Sequence, residues 1–251
     1  MEQSHYAAFI DNHAWSSTMS DCSTCVVRNR AICASLDAGE LQVMGKLGHK
    51  RVMKRGETLL WEGDPAPLVG NVIDGVLKLS VNLQDGREQI VSVVYASDFI
   101  GRPFGKESPY RVTAMTDAEV CVFTRSSFDS FAREHPDLQN KLLQRTLDEL
   151  DRAREWMTLL GQKSANERMA TLLIELSDRL SMNGCAPVTH YLDRFELPMG
   201  RQQISDILGL TIETVSRQFT LMRKQGILDL PDRRTVIIKD RDRLKALAEV
   251  E

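Results

Sequence analysis

Four cysteines, Cys22, Cys25, Cys33 and Cys121, are the residues of this 251-residue chain whose types and spacing point most directly to chemistry. Three fall in a Cys-x2-Cys-x7-Cys stretch and the fourth stands alone far downstream. The chain has no run of about 18 apolar residues and its N-terminus lacks the charged-then-apolar order of a signal peptide, so the expected compartment is the cytoplasm, with no membrane partner. That compartment keeps thiols reduced, which turns five cysteines away from disulfides and towards a metal or redox role. Four thiolates suit a tetrahedral structural zinc as well as a [4Fe–4S] cluster, and spacing leaves both open. The fifth, Cys185, sits between Gly184 and Pro187 and reads as a structural or free thiol.

A second constellation lies in LPMGRQQISDILGLTIETVSRQFTLMRKQGIL, from Leu197 to Leu228, which fits a helix, a tight turn and a second helix. Ile204, Ile207 and Leu208 face inward from the first helix, Gly209 reverses the chain, and Thr211 caps the second helix. Ile212, Val215, Phe219 and Met222 then recur at steps of three and four as its buried face, leaving Glu213, Ser216, Arg217 and Thr220 outward. An Arg can bond guanine bidentately, a Glu can accept from the cytosine amino group, and a Ser can serve either base edge in the major groove. Ile227 to Lys239, turning at Pro231-Asp232, reads as a β-hairpin wing whose Arg233 and Arg234 reach phosphates. The whole chain carries a net charge of −3, yet residues 197–239 hold seven Lys or Arg against four acids. A polar helix face alone is weak evidence, and the helix, Gly turn, helix and wing together are much stronger.

These sites need elements to hold them. From Leu41 to Phe123 apolar and polar residues alternate around turn dipeptides such as Asp74-Gly75 and Asp85-Gly86, which predicts an antiparallel β-roll or jelly roll. Gly56, Gly63, Gly70, Gly75, Gly86, Gly101 and Gly105 are expected at corners that need a positive φ. After Pro136 the stretch Asp137 to Leu160 has no Gly or Pro, and Leu143, Thr146, Leu150, Ala153, Met157 and Leu160 alternate in steps of three and four. Such a stripe pairs with a copy of itself or packs on the chain's own barrel; the dense charge of the other face (Asp148, Glu149, Asp151, Arg152, Glu155) favours the dimer. Gly161 is expected to end or kink that helix, and a further helix runs from Asn166 to Ser181 until Gly184 and Pro187 close it. The expected organisation is α+β: an N-terminal cysteine loop (1–40), an antiparallel β-roll (jelly roll) sensor domain (41–135), a long dimerisation helix (136–163) and a C-terminal winged helix-turn-helix domain (164–251).

The cysteine spacing, the lone Cys121 in a strand, NERMATLLIELSDR and GLTIETVSR together resemble the cyclic-AMP-receptor superfamily, and within it the fumarate-and-nitrate-reduction (CRP/FNR) branch, particularly its alphaproteobacterial members. The resemblance covers nearly the whole chain. It implies that Cys22, Cys25, Cys33 and Cys121 hold an oxygen-labile [4Fe–4S] cluster that passes to [2Fe–2S] and is then lost; Arg28 and Arg30 in the ligand loop either offset part of its charge or simply solvate an exposed loop. It further implies a homodimer in which Glu213, Ser216 and Arg217 read a palindromic operator of TTGAT-like half-sites, and contact with RNA polymerase through the hairpin Asn82 to Gln89. The chain departs from the superfamily's nucleotide cradle: Arg102 stands where the acidic ribose contact belongs, Val112 precedes Thr113 where the phosphate-binding Arg belongs, and Arg111 is displaced by one residue, which in a strand turns it to the other face. No cyclic nucleotide is therefore expected. The competing regulators are a constitutive zinc-containing one and a cyclic-nucleotide-responsive one. An enzyme is not expected, because five scattered histidines and the lack of a nucleophile-elbow or phosphate-loop motif offer no catalytic set.

Overall fold

Residues 22–181 and 191–249 are described by the computed structural model; Cys185, Gly184 and Pro187, with the expectations attached to them, lie outside the described residues. The alternating stretch forms two four-stranded antiparallel sheets. One is ordered β1 (Gly48–Met53), β8 (Ala118–Thr124), β3 (Leu68–Asp74), β6 (Phe99–Gly101), and the other β2 (Thr58–Leu60), β7 (Arg111–Ala114), β4 (Leu77–Asn82), β5 (Glu88–Val94). Their facing sides enclose Val72, Leu77, Val112, Val120 and Val122. Because successive side chains of a strand point to opposite faces, Cys121 and Phe123 of β8 leave that interior and join a separate cluster on the outside of the first sheet.

That outer face is covered by elements that strand patterning missed. Leu41 lies in helix α1 (Ala38–Leu47), so the roll begins at Gly48. Asp37 and Glu40 form a capping box that starts α1. Helix α2 (Arg125–Glu134), capped by the Thr124 hydroxyl accepting from Ser127 N, lays Phe128, Phe131 and Ala132 on the same sheet face.

Five of the expected corner glycines do adopt positive φ, whereas Gly70 and Gly105 do not. Gly70 is required for another reason: a Cβ there would sit 2.3 Å from the carbonyl oxygen of Cys121 on the neighbouring strand. Gly70→Ala is expected to force β3 from β8 at the cysteine and to destabilise the roll by about 1–3 kcal/mol. An unchanged denaturation midpoint for the roll would refute this close-approach reading.

Helix α3 (Pro136–Gln162) carries Gly161 in its last turn and ends one residue after it. Across the short link Lys163-Ser164, a capping box between Ser164 and Glu167 opens α4 (Ala165–Leu180). Then come β9 (Arg194–Glu196), α5 (Arg201–Leu208), α6 (Ile212–Lys224), β10 (Leu228–Asp229), β11 (Thr235–Ile238) and α7 (Arg241–Ala248). The hairpin β10–β11 gains β9 as a third strand, which sequence patterning did not identify. Val76, Ile90, Tyr95 and Met115 of the roll share one buried cluster with Met169, Leu172 and Phe219 of the C-terminal domain. A partly buried Arg179–Asp98 ion pair crosses the same junction. Among the described residues no helix is long and apolar enough to cross a membrane.

Candidate metal centre and nucleic-acid interface

Cys121 is held by register. On β8 it faces Lys50 of β1 on one side and Asn71 of β3 on the other, and directly opposed residues of antiparallel strands share a face. The segment bearing the other three cysteines lies on this face. Val27, Ala31 and Ile32 bury themselves against the sheet, Ala31 N donates to Val27 O at 2.8 Å, and a 3-10 turn from Ile32 to Ser35 carries Cys33 inward.

Cys22, Cys25, Cys33 and Cys121 line one pocket, walled by Val27, Ala31, Ile73 and Phe123 and edged by Arg28, Lys50 and Asn71. Asn71 Nδ2 lies 3.7 Å from Cys33 Sγ. Burial, and after it the negative charge of Cys121, Cys22 and Cys25, pushes the Cys33 thiol up to about 12. The Cys33 thiol, raised in this apolar pocket, needs a cationic centre to become a thiolate, and a bound metal would supply one by displacing the proton. The donor set of four thiols fits an iron–sulfur core, which thiolates prefer to ligate. Among the described residues no three His, Cys, Asp or Glu form a group that could hold a metal ion.

Lys50 was not singled out from the sequence, and only its register with Cys121 reveals it. It pairs with Glu119 at 3.0 Å. That hydrogen bond, opposed by burial and aided by the charges of Glu119, Cys25 and Cys121, raises its pKa. Arg28 edges the pocket as expected. Arg30 has a further part: its carbonyl accepts from Arg145 of α3, so the cysteine segment is tied directly to the long helix.

Helix α3 has two apolar faces. Leu138, Leu159 and part of Leu142 pack inward. Leu143, Leu150 and Met157 are 58%, 43% and 73% exposed, with Thr146 and Ala153 also exposed between them. Leu160, expected in the same seam, is half-buried against the C-terminal core. Leu147, 51% exposed and absent from the expected seam, completes the stripe four residues after Leu143 and three before Leu150. The charged residues do not form one solvent face either: Glu149 pairs with Arg152 at 2.8 Å and accepts from Ser92 of β5 at 3.2 Å.

In the C-terminal domain Ile204, Ile207 and Leu208 are buried, and Gly209 turns the chain at φ 61°, ψ 40°. The Thr211 hydroxyl accepts from Thr214 N at 3.2 Å, starting α6. Val215, Gln218, Phe219 and Met222 form its buried face. Ile212, expected there, is 39% exposed because it is the first helical residue and projects past the packed surface. Glu213, Ser216, Arg217 and Thr220 are exposed. Thr220 bonds back to Ser216 O at 2.9 Å. The Glu213 carboxyl is held below its ordinary range by its own backbone N–H and by the Thr211 hydroxyl, which keeps it an acceptor. In the wing turn Asp232, lowered to about 2, accepts from the Thr235 hydroxyl and from the amides of Thr235 and Arg234, fixing the corner that exposes Arg233 and Arg234.

Residues 167–247 match the Crp-like helix-turn-helix domain and residues 50–135 the cyclic nucleotide-binding domain. The chain is 40% identical, over 229 residues covering 89% of it and 90% of the relative, to the transcriptional activator protein FnrL of Cereibacter sphaeroides. It is 38% identical over 208 residues, 82% of this chain and 85% of the relative, to the nitrogen fixation regulation protein FixK of Bradyrhizobium diazoefficiens. Among solved structures it is similar to FixK2 from Bradyrhizobium japonicum, with a TM-score of 0.72 and 33% identity over 81% of this chain and 98% of that one. A CooA mutant from Carboxydothermus hydrogenoformans shares the fold, with a TM-score of 0.64 at 21% identity over 81% and 89% of the two chains.

Proposed function

The chain belongs to the CRP/FNR family of transcription regulators, whose members bind DNA and usually act as dimers, and from that premise we propose that it is a cytoplasmic, oxygen-responsive regulator governed by a [4Fe–4S] cluster on Cys22, Cys25, Cys33 and Cys121. The observation that carries the reading is the common pocket of the four thiols, with its basic edge at Arg28 and Lys50. When bound, the cluster supplies an oxygen-labile anchor. The protein's own residues convert that anchor into a signal. The cysteine segment is pinned to β8, and through the Arg30 carbonyl it holds Arg145 and thereby α3. Helix α3 presents Leu143, Leu147, Leu150 and Met157 to a second copy of the chain, and Glu213, Ser216 and Arg217 of each copy read one TTGAT-like half-site. The hairpin tip between Asn82 and Gln89, with Asp85 and Arg87 paired in solvent at 2.8 Å, is the proposed contact for RNA polymerase.

Arg111 supports a reading without cyclic nucleotide. Its guanidinium bonds Asn82 at 2.6 Å and Glu88 at 3.3 Å over the Trp61 ring, and it does not line the cleft between the roll and α3, which Val112 lines in its stead.

The test is to purify the protein without oxygen, record its visible spectrum, iron and acid-labile sulfide, and measure operator binding before and after air. A colourless, zinc-loaded protein with unchanged binding would refute the sensor. The dimer has its own test. Leu147→Asp with Leu150→Asp places charge in the seam, where burying an uncompensated charge costs about 3–5 kcal/mol. Sedimentation should then show a dimer weakened by at least about 100-fold, and an unaltered dissociation constant would move the interface elsewhere.

A further inference from the structure

The guanidinium of Arg168, in the first turn of α4, donates to three carbonyls at the ends of two other helices. Nη2 reaches Leu160 O at 2.7 Å, Nε reaches Lys163 O at 2.8 Å and Nη1 reaches Leu208 O at 2.9 Å. Leu160 and Lys163 close α3, and Leu208 closes α5 immediately before Gly209. Carbonyls in the last turn of a helix lack an intrahelical donor and carry the negative end of its dipole, so a cation with several donors in a fixed fork suits them. The position of the clamp matters as much as its chemistry. A Cβ added to Gly209 would lie 3.8 Å from the same Nη1, so the guanidinium sits against the corner that aims α6. By contrast, the covalent link between α3 and α4 is the pair Lys163-Ser164, both in extended conformations.

We propose that Arg168 is the positioning residue that sets the spacing of the operator half-sites this protein accepts. By fastening the end of the dimerisation helix to the turn of the helix-turn-helix, it makes the separation of the two recognition helices a property of the rigid α3 pair. The ion pair Arg179–Asp98 and the bond from Gln89 to Asp206 O at 2.7 Å hold the domain against its own roll. At the α3 junction Lys163 Nζ also reaches Ala248 O and Leu159 packs into the domain core, but only Arg168 ties the end of α3 to the carbonyl before the Gly209 turn. The inference rests on the reading of the chain as a dimer on two half-sites about one helical turn, roughly 34 Å, apart.

The experiment uses the full chain prepared without oxygen, with Arg168→Gln and Arg168→Lys beside it. Binding is measured to TTGAT inverted repeats whose spacer is unaltered, shortened or lengthened by a base pair or two, and iron content and dimerisation are followed in parallel. Both variants should keep iron and dimerise as before. Their affinity for the preferred spacing should fall roughly ten-fold, the size of one ordinary coupling between sites, while altered spacings lose less, so that spacing discrimination collapses. Lysine retains the charge but cannot span three carbonyls, so it should behave as Gln does. Full discrimination in Arg168→Lys, an equal loss at every spacing, or no loss overturns the proposal. Failure of both variants to fold, seen as loss of cooperative unfolding, would make Arg168 a structural residue only and overturns it as well. If the unsubstituted chain binds none of the repeats, it is the operator reading that fails, an outcome distinct from failure of the clamp.

Discussion

Prepared without oxygen, the Cys121→Ser chain is expected to be colourless, to have lost its iron, and to bind the operator between about 5- and 150-fold more weakly, the range spanned by typical couplings between sites. The expectation follows from where each thiol is mounted. Cys22, Cys25 and Cys33 ride on one segment and move together, whereas Cys121 is fixed by strand pairing on both sides, with Lys50 and Asn71 opposite it. Removing it takes away the one ligand mounted on the roll itself, so the segment is left with only its packing of Val27, Ala31 and Ile32 on the sheet, and the order that Arg145 reads at the Arg30 carbonyl weakens with the loss of the cluster. The substitution changes volume little and Cys121 contributes nothing to the roll interior, so thermal unfolding of the roll should stay near its original midpoint. Iron retained at the original stoichiometry would exclude Cys121 as a ligand. Loss of the fold together with the iron would reduce the result to a structural effect, and for that case Cys25→Ser, on the covering segment, provides the independent arm.

How much of this was legible beforehand depends on whether the signal was local. The cysteine set and the recognition helix were readable because residue type and spacing carry them, and the exposed Glu213, Ser216 and Arg217 stand where a period of 3.6 puts them. Ile212 misled because that period assumes a neighbouring turn on each side, and the first residue of a helix has none on one side. Leu147 and Thr146 cannot be told apart by spacing, since a step of four and a step of three from Leu143 reach the same face of the helix. Lys50, Arg145 and Arg168 could not be found by periodicity at all. Each acts through a contact made by folding, across strand register, between a helix and a distant carbonyl, or between three helix ends. Helices α1 and α2 are hard to see in the sequence because each has only ten residues and covers an apolar sheet face, leaving little room for a helical period to declare itself.

Arg217→Ala should weaken binding to the TTGAT repeat by at least about 30-fold, because a bidentate base contact is worth roughly 1–3 kcal/mol and the dimer makes it in both half-sites. Affinity for unrelated DNA should hardly change, since that binding is carried by phosphate contacts. Glu213 tests the same surface by a different route. Its carboxylate is kept ionised by its own backbone N–H and the Thr211 hydroxyl, so at neutral pH it can accept from a cytosine amino group, and Glu213→Gln should tolerate other bases at that one position while the remaining positions keep their preference. The wing supplies the contrast. Arg233→Ala or Arg234→Ala removes a charge held beside the Asp232 corner in each subunit, and should lower affinity for every sequence alike while reducing the salt slope of the dimer by about two. Base reading and phosphate anchoring thus leave opposite signatures in one set of titrations. Equal losses on operator and unrelated DNA for Arg217→Ala would move that residue from reading to anchoring and require another side chain of α6 to supply the specificity.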